Sequence, residues 1–228
     1  MIELYIGNKN YSSWSMRPWV WLRQSGIDFA ERVVRFDGFG PDSQFKQSLR
    51  SLTPVGKVPV LVHDGLAIWD TLAMAETLAE LFPAQPLWPR DARARARARS
   101  LCAEMHSGFG ALRSACPMNI EARLPDVGAL ALRDKPAVRA DLQRIIELWQ
   151  DCLREHGGPM LMGEFGMIDA YFAPVVMRLT TYALPVPGEV AAYMARVQAL
   201  PGVKAWVQAA LAEQDFLDFE EPYRLRRD

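Results

Sequence analysis

The chain is short of cysteine, of net charge and of long apolar runs, and each shortage closes a class of function. Its three cysteines, Cys102, Cys116 and Cys152, are odd in number and far apart. They form no CxxC pair and no zinc-ligand spacing, so neither a disulfide framework nor a cysteine metal site is expected, and a reducing compartment suits them. No stretch approaches the ~20 apolar residues of a membrane span. The opening "MIELYIGNKN" has no basic start ahead of a long apolar core, so no signal peptide is expected. A formal net charge of −1 gives no overall field toward nucleic acid or an anionic membrane. Together these point to a soluble cytoplasmic protein without a metal.

What is present is enough apolar residue, 50% of 228, to bury one large core or two small ones. The first eighty-odd residues alternate strand-like and helical runs. "IELYIG" (2–7) reads as a strand, 15–25 as a helix with Pro18 in its first turn and Gly26 just past its end, and "ERVVRF" (31–36) as a second strand. A loop over 37–44 and a short helix near 43–51 follow. "VPVLV" (58–62), Asp64-Gly65 and "LAIW" (66–69) predict a hairpin, because Asp-Gly tolerates the positive φ angles of a tight turn. "TLAMAETLAELF" (71–82) closes the set as a helix. Strand, helix, strand, helix, strand, strand, helix is the thioredoxin arrangement of a βαβ half followed by a ββα half.

The proline-rich segment 83–91 reads as a linker, and nothing beyond it looks like a strand. In "ADLQRIIELWQDCLREHGG" the residues Leu142, Ile145, Ile146, Trp149 and Leu153 form one apolar stripe. The expectation is an α/β thioredoxin-like domain over 1–82 and an all-helical domain over 92–228. Arginines at 93, 95, 97 and 99 invite a nucleic-acid reading, but at 100° per residue they spread around a helix. They read as a solvated face.

Two motifs carry chemistry. In "KVPVLVHDGLAIWDT", Pro59 at the start of a strand removes a ladder donor and can adopt the cis form, leaving the Val58 N–H and C=O to pair with an extended peptide. Asp70-Thr71 stands at a helix mouth. Thr71 as N-cap and the free N–H groups suit a carboxylate, while Asp70 suits an ammonium, so the pair fits an α-amino-acid end.

In their order and spacing "SSWSMR", "TPVGKVPVLVHDG" and "DTLAMAETLAELFP" resemble the glutathione S-transferase superfamily, as does the helical second half. The resemblance implies glutathione as co-substrate, gripped by Trp14, Lys57, Val58, Pro59, Asp70 and Thr71, and a homodimer. "YSSWSMR" is similar to the zeta-class signature, with Trp14 in the place of its cysteine. Carried over, Ser12 becomes the thiol activator, Ser13 its neighbour near the sulfur, and Arg17 a structural or electrostatic support. Tyr11 stays a further candidate, since a phenol activates in other classes, and one of the three serines is expected to cap the helix. "MGEFGMIDAYFAPVV" resembles the family's capping segment, with Gly166 where a hydroxyl is usual and Asp169 three residues on. The electrophile would be walled from 101–125, where Met105, His106, Phe109, Arg113, Met118 and Asn119 are candidates. Thiol transfer to a small electrophile, cis–trans isomerisation of the maleylacetoacetate type, and a non-catalytic binding module are the three functions left open.

Overall fold

The structure, a computed structural model, describes residues 1–227. Four strands form one sheet in the order β2-β1-β3-β4. Strand β1 (Ile2–Ile6) runs parallel to β2 (Ala30–Val33) and antiparallel to β3 (Val60–His63), which turns into β4 (Leu66–Ile68). Asp64 (φ 48°) and Gly65 (φ 81°) make that turn. Helices α1 (Ser13–Gln24), α2 (Gln44–Leu49) and α3 (Thr71–Leu81) complete the thioredoxin-like domain. Strand β2 is shorter than its sequence suggests. Past Val33 the chain turns into a separate apolar cluster of Tyr11, Phe36, Phe45 and Leu49, and Asn8 Oδ1 accepts the Phe36 N–H.

Helix α1 begins two residues earlier than its pattern indicates. The Ser12 carbonyl already accepts the Met16 N–H at 3.2 Å. Pro18 therefore lies inside the helix and not in its first turn. Gly26 sits at φ 67° just beyond the helix, where only glycine is relaxed, and its N–H donates to the Arg23 carbonyl.

The second domain is helical: α4 (Ala92–Ser107), α5 (Gly110–Ala115), α6 (Pro125–Asp134), α7 (Pro136–His156), α8 (Met167–Thr181), α9 (Gly188–Ala199) and α10 (Pro201–Glu213), then a 3₁₀ turn at Asp218–Glu220. No described helix is long and apolar enough to cross a membrane. The alternating arginines of α4 do spread: Arg99 pairs with Glu76 of α3, and Arg95 donates to the Pro89 and Arg90 carbonyls.

Helix α8 is the spine, buried along almost its whole length and packed on α1. Tyr171 and Arg178, two turns apart on it, share the face that meets the first domain. Close backbone approach beside α8 explains Gly128 of α6, where a methyl group would land on the Tyr182 carbonyl oxygen. Gly128→Ala is expected to cost about 1–3 kcal/mol through this clash, read as a lower midpoint in denaturant.

Candidate active site

At the bend between β1 and α1, buried hydroxyls meet a buried cation. Ser12 is the N-cap residue of α1, yet neither it nor its neighbours cap the helix with a side chain. Its hydroxyl donates to Ser15 Oγ at 2.7 Å, and Ser15 accepts the Gly7 N–H at 3.2 Å. Burial is the reason: hydroxyls shut away from water pair with each other and with the end of β1. The expected serine cap is therefore absent. Ser13 Oγ accepts from Arg178 Nη2 at 3.2 Å, and no acceptor for its own hydrogen occurs among the described residues. With no cap and no acidic residue in its first turn, α1 leaves the Trp14 and Ser15 N–H groups unpaired among the described residues. The Tyr11 hydroxyl is taken, donating to Glu221 Oε1 at 2.7 Å. Burial and that carboxylate push the phenol far above its ordinary pKa, so Tyr11 stays protonated with its hydrogen directed to Glu221.

The second element is the mouth of α3. Here Asp70, not Thr71, is the N-cap, its Oδ1 accepting the Leu72 N–H at 3.1 Å. Thr71 is the first helical residue, and its buried hydroxyl meets the Tyr171 hydroxyl at 2.6 Å. Tyr171 also meets His106 Nδ1 at 2.9 Å, and His106 Nε2 lies 3.2 Å from Asp70 Oδ2. A polar ring thus joins α3, α4 and α8 across the two domains. The Asp70 carboxylate remains exposed. The peptide Val58–Pro59 is cis, as is Trp69–Asp70. The Val58 N–H and C=O make no hydrogen bond among the described residues.

Three arginines surround these elements, and their hydrogen bonds go to carbonyls and a serine, not to carboxylates. Arg17 lies 3.8 Å from the Trp14 ring centroid and 4.7 Å from that of Tyr171, with Nε donating to the Tyr171 carbonyl at 3.0 Å. Its Nη1 is buried without a hydrogen-bond partner among the described residues. Arg113 lies 4.9 Å from the Trp14 centroid. Arg178 Nη1 donates to the Cys116 carbonyl at 2.6 Å. Burial lowers Arg17 to about 9 and Arg178 to about 10, and Arg113 in the same direction, because a desolvated guanidinium holds its proton less firmly. Arg17 and Arg178 stay charged at neutral pH.

Two cavities open side by side, sharing Trp14, Lys57 and Val58. One, about 280 Å³, is lined also by Pro59, Asp70, Thr71, His106 and Arg113. Its neighbour, about 350 Å³, holds Ser12, Ser13, Lys46, Phe39 and Glu220. Burial raises Glu220 to about 7, against the pull of Arg178. Neither cavity is lined by a cysteine. All three thiols are buried and pushed up by burial, Cys116 and Cys152 to about 11.

This geometry has relatives. Residues 11–81 match the glutathione S-transferase N-terminal domain, and residues 91–209 the glutathione S-transferase C-terminal domain. The chain belongs to the glutathione S-transferase superfamily. "Glutathione S-transferase 1" of Dianthus caryophyllus is 29% identical over 182 residues, covering 79% of this chain and 78% of that one. A "Probable maleylacetoacetate isomerase" of Caenorhabditis elegans is 32% identical over 106 residues, 46% of this chain and 47% of that one. Among solved structures, a glutathione transferase homolog from Burkholderia gl BGR1, with bound glutathione, has TM-score 0.69 and 26% identity over 93% of this chain and 99% of that one.

Set against the superfamily's pattern, Trp14, Lys57, Val58, Pro59, Asp70 and Thr71 come together at one cavity. Ser12 and Ser13 lie in the adjoining one. His106 and Arg113 line the first cavity too, beside the residues proposed for glutathione and not in a separate pocket. Met105, Phe109, Met118 and Asn119 are buried at 1%, 6%, 2% and 2% exposure and line neither cavity. Met105, Phe109 and Met118 pack into the hydrophobic core, and Asn119 accepts from Asn10 Nδ2 and donates to Glu221 Oε1. Phe109 takes the left-handed conformation at φ 55°. Sequence reading passed over Tyr171, Arg178 and Glu220. For the first two a signal existed: a tyrosine and an arginine in the otherwise apolar "IDAYFAPVVMRLTT".

Proposed function

We propose that the protein is a glutathione transferase that ionises the thiol of bound glutathione at the Ser12–Ser13 bend and presents it to a small electrophile. The observation that carries this reading is the adjacency of two complementary seats. At the mouth of α3, the exposed Asp70 carboxylate suits an ammonium, and the Thr71 and Ala73 N–H groups, unpaired among the described residues, suit a carboxylate. The free Val58 backbone lines both cavities and can pair with an extended peptide laid across them. The far seat, at the uncapped start of α1, favours an anion.

The energetics agree. A free thiol with a pKa of ~8.5 is only a few per cent thiolate at neutral pH. Lowering it by ~2 units takes ~2.7 kcal/mol of differential stabilisation. One neutral hydrogen bond nets ~1 kcal/mol, so the helix end and the cations must share the work. The thiol proton leaves to water, and the thiolate sulfur then forms a C–S bond, either displacing a leaving group such as halide, which departs with the bonding electrons, or adding to a double bond whose displaced electron pair takes a proton from water.

Calorimetric titration with glutathione, followed by the ultraviolet thiolate band of the complex, tests the reading. Saturable binding with a depressed thiol pKa is the expected result, and absence of binding would leave only a non-catalytic module. Arg113 at the cavity wall and the partial match to an isomerase support a second reading, glutathione-dependent cis–trans isomerisation of an anionic substrate. Halogenated aromatics against maleyl compounds as substrates divide the two. The homodimer and the cytoplasmic location belong to the same reading, and light scattering in solution tests the first.

A further inference from the structure

The bend offers two buried serines, and the structure distinguishes them. Ser12's hydrogen is spent on Ser15, whose oxygen also serves the Gly7 N–H at the end of β1. Ser13's hydrogen has no acceptor among the described residues, and its oxygen is held from behind by Arg178 Nη2 at 3.2 Å. Arg178 comes from α8, 165 residues away in the chain, and is buried. It makes no ion pair among the described residues: its remaining hydrogen bonds reach the Cys116 carbonyl at 2.6 Å and the Arg113 carbonyl at 3.4 Å.

A buried guanidinium with no carboxylate in ion-pair contact is costly, and its usual compensation is an anion close by. Inside a protein a donor already accepting from a cation gives up its own hydrogen more strongly, so the positive charge is passed along the chain of hydrogen bonds. We propose that Ser13, not Ser12, gives the hydrogen bond to the sulfur of bound glutathione, and that Arg178 is the positioning residue that fixes and polarises the Ser13 hydroxyl. The proposal rests on the glutathione reading above. It names an electrostatic contributor from the helical domain that none of the sequence motifs includes.

The charged and titratable groups around this pair are few. Arg17 faces Arg178 from α1, Arg113 and Cys116 from α5 and its C-terminal end, Tyr182 from the end of α8, and Glu220 from the C-terminal segment. Lys46, Lys57, Tyr11 and Glu220 line the cavity that Ser13 shares. Glu220 is the one carboxylate in that set, and a carboxylate opposes a neighbouring thiolate. It does not replace Arg178 as the source of stabilisation.

The plain alternative is that Arg178 only caps the carbonyls at the end of α5. The comparison of R178K in the wild-type and S13A backgrounds separates the two, because a relay acts only while the Ser13 hydroxyl is present. The test is the thiol pKa of bound glutathione, read from the ultraviolet thiolate band, in wild type, S12A, S13A, R178K and the S13A/R178K pair, with binding measured calorimetrically on the same samples. S13A is expected to raise the bound thiol pKa by about one unit, a roughly tenfold loss of thiolate at a pH below both values. S12A is expected to move it less than S13A does. R178K is expected to raise it in the wild-type background and to add little in S13A, because the effect runs through the Ser13 hydroxyl. An S12A shift larger than that of S13A, or an R178K complex with the full wild-type thiolate, overturns the proposal. Glutathione bound with an unperturbed thiol overturns the relay while leaving a glutathione-binding protein. No binding by the wild type overturns the functional reading along with it. Should R178K not fold, the S12A and S13A comparison still decides.

Discussion

Asp169→Ala is expected to destabilise the protein by about 3–5 kcal/mol, a fall in melting temperature of roughly 10–15 °C for a chain of this size. Asp169 is fully buried at the start of α8. Oδ2 accepts the Gly166 N–H at 3.0 Å, and Oδ1 accepts both the Leu161 N–H at 3.1 Å and the Tyr193 hydroxyl at 3.0 Å. All three partners are donors, so alanine strands three buried hydrogens. Asparagine is expected to fall between, since its one oxygen serves Oδ1's partners while its NH₂ faces the Gly166 N–H. Gly166 supplies no cap of its own, and the Leu87 carbonyl takes that role by accepting the Met167 N–H at 2.8 Å. A side chain at 166 would crowd this carbonyl, with a Cβ 3.1 Å from it. The half of the capping box lost from the sequence is thus replaced from the interdomain segment.

Asp169 also sets a pH signature. Burial raises its carboxyl from 3.8 to about 6, with the three donors pulling the other way. A folded-state pKa above the unfolded value means that protonation favours the folded state. This contribution is complete below about pH 3.8 and is lost as pH rises through about 6. Between those limits wild type should lose stability relative to D169N, and the difference in unfolding free energy across that window is the measurement. Parallel curves would show that Asp169 does not titrate there.

Asp70→Asn is expected to weaken glutathione binding by roughly tenfold to a hundredfold, the worth of one charge-assisted hydrogen bond to an ammonium. Stability should hardly change. Asparagine is as good an N-cap as aspartate, and its oxygen can still accept the Leu72 N–H. This split between affinity and stability separates a ligand-binding carboxylate from a mere cap. Calorimetry at neutral pH together with thermal melts reads both quantities on one sample. Equal affinity in the variant would confine Asp70 to capping α3 and holding His106.

Local patterns made much of the architecture readable in advance. The Asp64-Gly65 turn, the α3 periodicity and the apolar stripe of α7 are signals contained within about ten residues, and each element appears in the structure. The order of the cis-proline, the Asp-Thr pair and the serine bend likewise runs along the chain in short segments, so the superfamily could be recognised from them. Boundaries were less legible where burial overrode local preference. The hydroxyls of Ser12 and Ser15 turn inward and pair instead of capping, which moves the start of α1 and places Pro18 within it.

The partners of those residues were decided by the tertiary fold alone. The sequence pattern makes Thr71 a cap, because serine and threonine usually serve there, but its hydroxyl is claimed by Tyr171, 100 residues away. Met105 points into the core from the buried face of α4 and Phe109 from the turn between α4 and α5, while His106 on α4 reaches the cavity. By itself the sequence determined the succession of elements and the family, since periodicity, turn chemistry and caps act between neighbours in the chain. Which hydroxyl is free, and which cation stands behind it, only the packing of α8 against α1 decided, because hydrogen-bond partners at such separations are chosen by burial and not by local preference.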